Sequence, residues 1–327
     1  MKKWILAWLM VSWVFPKKIV IKLATLAPEG TDLYGQLVDM QQQWKAASNG
    51  EVMLRIYPNG VVGDERDMIR KMRIGQIQAA GITTEGLSEL APDVYAFIMP
   101  MYFRSYEDVD RVRDVISREL EDQIEANGFK LLYWADIGWA YWFTDQEIHT
   151  PDDLRELKIF TWAGDFKSRE LWKSAGFQSV SLASTDVLSG LQTGLIDAVA
   201  TTPLFALSSQ WFGVANHLLL MKWGLVTAAL VVDLRTWNQI PEAIRPRLLD
   251  IAHTIGRRHQ ATGRFADQQA IDAMKQYGLT VVVPTPEEEQ VWRHLVRSWY
   301  PALRGTFVSD TMYDLLMELD TVRVGDE

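Results

Sequence analysis

The chain has 327 residues, 48% hydrophobic and 23% charged, a globular balance with room for two cores that excludes disorder and fibrous repeats. A formal net charge of -9 argues against a nucleic-acid partner, because phosphate backbones are met by a basic face. There is no cysteine, so thiolate catalysis, cysteine-based zinc sites, disulfides and an anchor on a lipidated cysteine are all excluded.

Lys2 and Lys3 precede an uncharged apolar run over 4–15, about the length of a signal-peptide core and too short to span a bilayer. Residues 1–16 are therefore expected to export the chain, although Val14-Phe15-Pro16 stands where a small-residue cleavage site belongs. The alternative is a buried or interfacial N-terminal segment.

Strands are expected over 19–24, 52–57 and 77–82, with helices over 33–47 and 64–74 between them. Asn49-Gly50 and Gly75 stop the helices, and Thr83, Thr84 and Glu85 follow the third strand. Ser105 with Asp108 signals a helix running to Asn127-Gly128, after which 129–135 is rich in strand formers. Thr150, Pro151 and Asp153 open another helix.

Residues 154–203 then hold a strand–helix–strand–helix–strand run: strands at 157–161, 179–182 and 198–201, helices at 165–175 and 185–193. Alternation of this kind argues for a parallel α/β sheet, whose strand ends are where a ligand sits. The continuous apolar run 226–232 fits a buried central strand. From Pro241 to Tyr277 apolar residues keep helical spacing past Gly256 and Gly263, which predicts either one strut on the order of 50 Å across two domains or a pair of helices broken at a glycine. A strand at 281–283 and a helix opened by Thr285-Pro286 follow.

Signatures of catalysis are scarce. There is no GxGxxG after a strand, no phosphate loop, no nucleophile elbow and no HExxH. His253 and His259, six apart on one predicted helix, fall on different faces. Glu85 and Asp197 are the acids of interest, and Asp197 reads better as a turn residue bonding nearby backbone. Fourteen tryptophans point to core plus an aromatic-lined cleft, with Trp134, Trp139, Tyr141, Trp142 and Phe143 crowded into one segment.

Several motifs together resemble the solute-binding proteins of TRAP (tripartite ATP-independent periplasmic) transporters, of the dicarboxylate-binding type. They are Val62-Gly63-Asp64-Glu65, Met99-Pro100-Met101-Tyr102-Phe103, the run from Asp153 to Ile159, and Leu191-Gln192-Thr193-Gly194-Leu195-Ile196-Asp197. The resemblance implies a two-lobed periplasmic-binding-protein-like α/β fold. Each lobe would be a mixed sheet flanked by helices, with a long helix spanning both lobes and a hinge that closes on ligand. Lobe I is expected over 17–138 plus 226–265 and lobe II over 139–225 plus 266–327. The resemblance further implies a periplasmic monomer without cofactor or catalysis, handing a small solute to the small and large membrane subunits of a TRAP permease.

The sequence departs from that family at its carboxylate clamp. Phe160 stands where the family places an arginine, Ala140 or Tyr141 aligns with a second basic position, and Ala200-Thr201-Thr202 replaces a Glu-Asn pair. The expected cleft is lined by Tyr141, Trp142, Phe160, Trp162 and Trp223, with hydroxyls from Thr83, Thr84, Thr201 and Thr202. Such a cleft suits an apolar, aromatic or neutral ligand, and Glu85 among aromatics admits a cation. A bound acid would need its countercharge from Arg104, Arg169 or Lys222. The competing readings are an enzyme on the same scaffold and an interaction module whose cleft is filled by its own side chains.

Overall fold

The computed structural model describes residues 18–325; the apolar segment 1–16 lies outside them. Three parallel strands come first: β1 (Ile19–Thr25), β2 (Val52–Tyr57) and β3 (Ala79–Thr83), connected by α1 (Asp32–Ala47) and α2 (Glu65–Arg73). The helix starts follow local chemistry, since Thr31 accepts from the Tyr34 amide and Asp64 from the Glu65 amide. A short α3 (Thr84–Leu87) and the 3₁₀ turn Pro92–Ile98 lead to α4 (Tyr106–Ala126), whose cap Ser105 accepts from the Asp108 amide.

The next strand, β4 (Phe129–Thr144), runs well past the Ala135 end that propensity suggests. Its partner β8 (His217–Asp233) begins long before the apolar run at 226. The two lie antiparallel along their length, with register shifts at Leu131/Tyr133, Asp136/Gly138 and Ala140/Trp142. Asp136 and Gly138 read locally as strand stops. The ladder to β8 carries the chain through them as bulges, which bend and twist the pair.

Between β4 and β8 lie α5 (Pro151–Arg155), β5 (Lys158–Trp162), α6 (Phe166–Ser174), β6 (Gln178–Leu182), α7 (Val187–Gln192), β7 (Ala198–Thr201) and α8 (Pro203–Ser208). After β8 come α9 (Leu234–Gln239), α10 (Arg245–Lys275), β9 (Thr280–Val282), α11 (Pro286–Leu303) and α12 (Asp310–Gly325). The described strands form one mixed sheet in the order β2-β1-β3-β8-β4-β7-β5-β6, with β9 beside β8. The result is two α/β lobes, one around β1–β3 and one around β5–β7, sharing the long pair β4 and β8.

Helix α10 is unbroken over 31 residues and packs on β4, α1 and α8, the single strut of the two alternatives. Its glycines serve contact, not interruption. A Cβ at Gly256 would meet Tyr133 Cβ at 2.5 Å, and one at Gly263 would meet the Asp136 carbonyl oxygen at 1.9 Å. Only bare backbone lets the helix lie on the bulged strand. At the C-terminus, α12 returns to the 3₁₀ turn Pro92–Ile98, and Tyr102 Oη donates to the Leu316 carbonyl at 2.7 Å.

Candidate functional site

A cavity of about 510 Å³ opens between the lobes, within the roughly 300–1,000 Å³ usual for small-molecule sites. From the first lobe, Thr83, Thr84 and Glu85 reach it on the turn from β3 into α3. Glu65 holds that turn in place. Its buried carboxylate accepts from the Thr83 amide at 2.9 Å, the Thr83 hydroxyl at 2.8 Å and the Gly86 amide at 2.9 Å. Burial nevertheless pushes the Glu65 carboxyl up to about 7.

The second lobe contributes Phe160 and Trp162 from β5, with rings 5.6 Å apart, and Thr201 and Thr202 at the end of β7. The shared strands supply Trp142 and Trp223. With Trp172 and Trp299 these two make an aromatic wall: Trp172 stacks on Trp223 at 5.7 Å, and Trp142 meets both edge-on at 5.7 and 5.5 Å. Trp299 of α11 closes the cluster 5.2 Å from Trp172. The indole Nε1 of Trp142 is buried and bonded to nothing within the described residues.

Tyr141 is the expected lining residue that the structure places elsewhere. It is adjacent to Trp142 on β4 and does not line the cavity. Strand alternation turns it toward the opposite face, into the electrostatic reach of Asp267 on α10. The threonines are also less available than their number suggests. Thr83 donates to Glu65, Thr84 donates to the Thr227 carbonyl at 3.2 Å, and Thr202 caps α8 by accepting from the Phe205 amide. Thr201 keeps its hydroxyl unbonded within the described residues.

The electrostatics of the cavity are one-sided. Among the described residues no arginine, lysine or histidine lines it, whereas Glu85, Asp165 and Tyr95 do. Tyr95 Oη donates to Asp165 Oδ2 at 3.3 Å, and Asp165 Oδ1 caps α6 by accepting from the Ser168 amide at 3.1 Å. Glu85 is pushed up to about 8, first by burial and then by the charge of Asp165, against the opposing pull of Arg66. Arg66, behind the wall, donates from Nε to Glu85 at 2.6 Å and from Nη1 to Glu89.

Arg104, Arg169 and Lys222 do not line the cavity. Lys222 Nζ donates to the Arg104 carbonyl at 2.8 Å and sits over the Trp139 ring, and Arg169 pairs with Glu170. Asp197 is a structural residue, accepting from the Lys158 amide at 2.9 Å to tie β5 to the turn before β7. Across the cleft, Asp64 accepts from the Ser184 amide at 3.1 Å and its hydroxyl at 2.9 Å, a direct polar bridge between lobes.

Sequence reasoning missed Tyr95, Asp165 as a lining group, Trp299 and Phe307. Asp165 was legible only as a helix start. Trp299 and Phe307 come from the end of α11 and beyond, more than seventy residues after Trp223 of β8, and no local pattern announces them.

Two lobes, a shared strand pair and an enclosed interlobe cavity define a solute-binding receptor. The chain matches the family described as DctP, bacterial extracellular solute-binding protein family 7, over residues 23–304, and it belongs to that family. A solute-binding protein of Chromohalobacter salexigens is 25% identical over 70% of this chain and 67% of its own. The C4-dicarboxylate-binding periplasmic protein DctP of Rhodobacter capsulatus is 22% identical, covering 85% of this chain and 84% of its own.

Among solved structures, a TRAP periplasmic solute-binding protein from Sulfurospirillum deleyianum with bound succinate aligns with a TM-score of 0.85. It is 18% identical and covers 93% of this chain and 99% of its own. Another, from Pseudomonas putida F1 with bound D-glucuronate, aligns at 0.81 with 22% identity, covering 92% and 96%. By its family the protein is thus an extracellular solute-binding receptor.

Proposed function

We propose that this receptor captures a solute with an aromatic or apolar body, not an acid gripped by arginine. One observation carries the reading: the cavity is walled by Trp142, Trp172, Trp223 and Trp299 and lined by no cation among the described residues. A carboxylate drawn in would lie near Glu85 and Asp165 with no partner, a desolvation cost of several kcal/mol. Phe160, where the family carries arginine, packs against Trp162 instead.

Affinity then comes from burying rings against indole as both lobes close. Residues 1–16 are taken to direct export, and the receptor to act as a monomer on the small and large TRAP membrane subunits. The lobes are taken as 17–138 plus 226–265 and 139–225 plus 266–327, with α12 docked back on the first.

Native mass spectrometry of freshly purified protein tests the ligand class directly, because an enclosed cleft retains a tight ligand. Recovery of an aromatic or apolar solute is the expected result. Recovery of a sugar acid or dicarboxylate would sink the proposal.

A further inference from the structure

Resting on that reading, we infer that the solute is an organic cation: a protonated or quaternary amine on an aromatic or branched apolar body. Glu85 and Asp165 are both buried in the cavity wall and come from opposite lobes. Tyr95 links them, donating to Asp165 and lying within the electrostatic reach of Glu85. Only one guanidinium is near. Arg66 serves Glu85 and Glu89 together, and Asp165 has no ion pair within the described residues. Two buried carboxyls therefore line the cavity, of which only Glu85 has a cationic partner among the described residues.

Burial, and then the charge of Asp165, push the Glu85 carboxyl up to about 8. The walls suit the remainder of such a molecule. Indole faces attract a desolvated ammonium as well as apolar carbon, and the cluster of Trp142, Trp172 and Trp223 borders the cavity. An anion would have to compete with Glu85 and Glu89 for Arg66.

Three probes with one skeleton separate the charge from the ring: tyramine, the neutral alcohol tyrosol, and 4-hydroxyphenylacetate. Each is titrated into the full-length mature protein by calorimetry, with D-glucuronate and succinate alongside. Tyramine is expected to bind at least about tenfold more tightly than tyrosol, a difference of about 1.4 kcal/mol, and the anions not at all. In Glu85→Gln and in Asp165→Asn, which keeps a cap on α6, that preference is expected to fall to within about threefold. Equal binding of tyramine and tyrosol overturns the cation and leaves the aromatic receptor standing. Preference for 4-hydroxyphenylacetate or D-glucuronate overturns both. Silence across the series overturns the cation assignment, and mass spectrometry of the native protein then decides the aromatic reading by itself.

Discussion

On its cleft side β4 offers Trp142 to a cavity where carboxylates outnumber cations; on its helix side Asp136 is gripped by two arginines. Arg264 of α10 donates to Asp136 Oδ2 from Nε at 2.9 Å and Nη2 at 2.8 Å, and also to Asp110 of α4. Arg113 of α4 completes the set, so that both arginines bind α4 and α10 to the bulged strand. The carboxylates Asp110 and Asp136 hold the Arg264 guanidinium firmly charged. The contrast separates polar groups consumed by folding from those left over for a ligand. At the seam one buried carboxylate is held by two arginines, whereas in the cavity wall Glu85 has Arg66 alone and Asp165 has no ion pair among the described residues.

The largest expected effect comes from breaking the paired side. Asp136→Ala would leave Arg113 buried without its main partner at the strand bulge, costing about 3–5 kcal/mol of stability in urea denaturation. A loss under 1 kcal/mol would mean that the seam is not what holds α4 and α10 to β4.

One carboxyl on the helix side behaves like Glu85. Asp267 accepts from the Trp139 amide at 2.8 Å, in a space that exists because Gly138 has no side chain there. Burial pushes Asp267 from 3.8 up to about 7. The folded state then binds the proton more tightly than the unfolded one. Its contribution is fully present below pH 3.8 and is lost as pH rises through about 7. Between pH 5 and pH 7 the parent should lose on the order of 2 kcal/mol more stability than Asp267→Asn. Parallel pH profiles of the two proteins would count against this assignment.

Two smaller tests address the cavity side. Trp162→Ala should weaken binding of the solute recovered from the native protein by about 1–3 kcal/mol, whereas unchanged affinity would return the ring to a purely structural role. Ser184→Ala removes one bond of the bridge to Asp64. It should raise the solute's Kd by about 0.5–1.5 kcal/mol and leave the melting temperature of the solute-free protein almost unmoved. A drop in melting temperature with no change in Kd would make the bridge part of the resting fold instead of ligand-driven closure.

Much of the molecule was legible in the sequence because the information is local. Ser105 and Thr285 each cap the helix that the sequence announces there. The alternation of short apolar strands with helices specified an α/β sheet, and Val62-Gly63-Asp64-Glu65 carried the family resemblance. Within that motif Asp64 bridges to the far lobe and Glu65 shapes the turn that delivers Glu85. Composition alone removed thiol and disulfide chemistry.

Other features depended on partners distant in the chain. The reach of β4 past Asp136 and Gly138 was set by its ladder to β8, about ninety residues later, which outweighs local strand-stopping residues. The bulge pattern of that ladder also decided that Trp142 faces the cavity while Tyr141 faces α10. Gly256 and Gly263 resembled helix breaks until β4 was seen to occupy the space where their side chains would be. Residue types name which charges the chain owns. Only packing decides that Asp136 is held by Arg113 and Arg264 and Glu85 by Arg66, while Asp165 lines the cavity with no ion pair among the described residues, because the cost of a buried charge depends on what surrounds it.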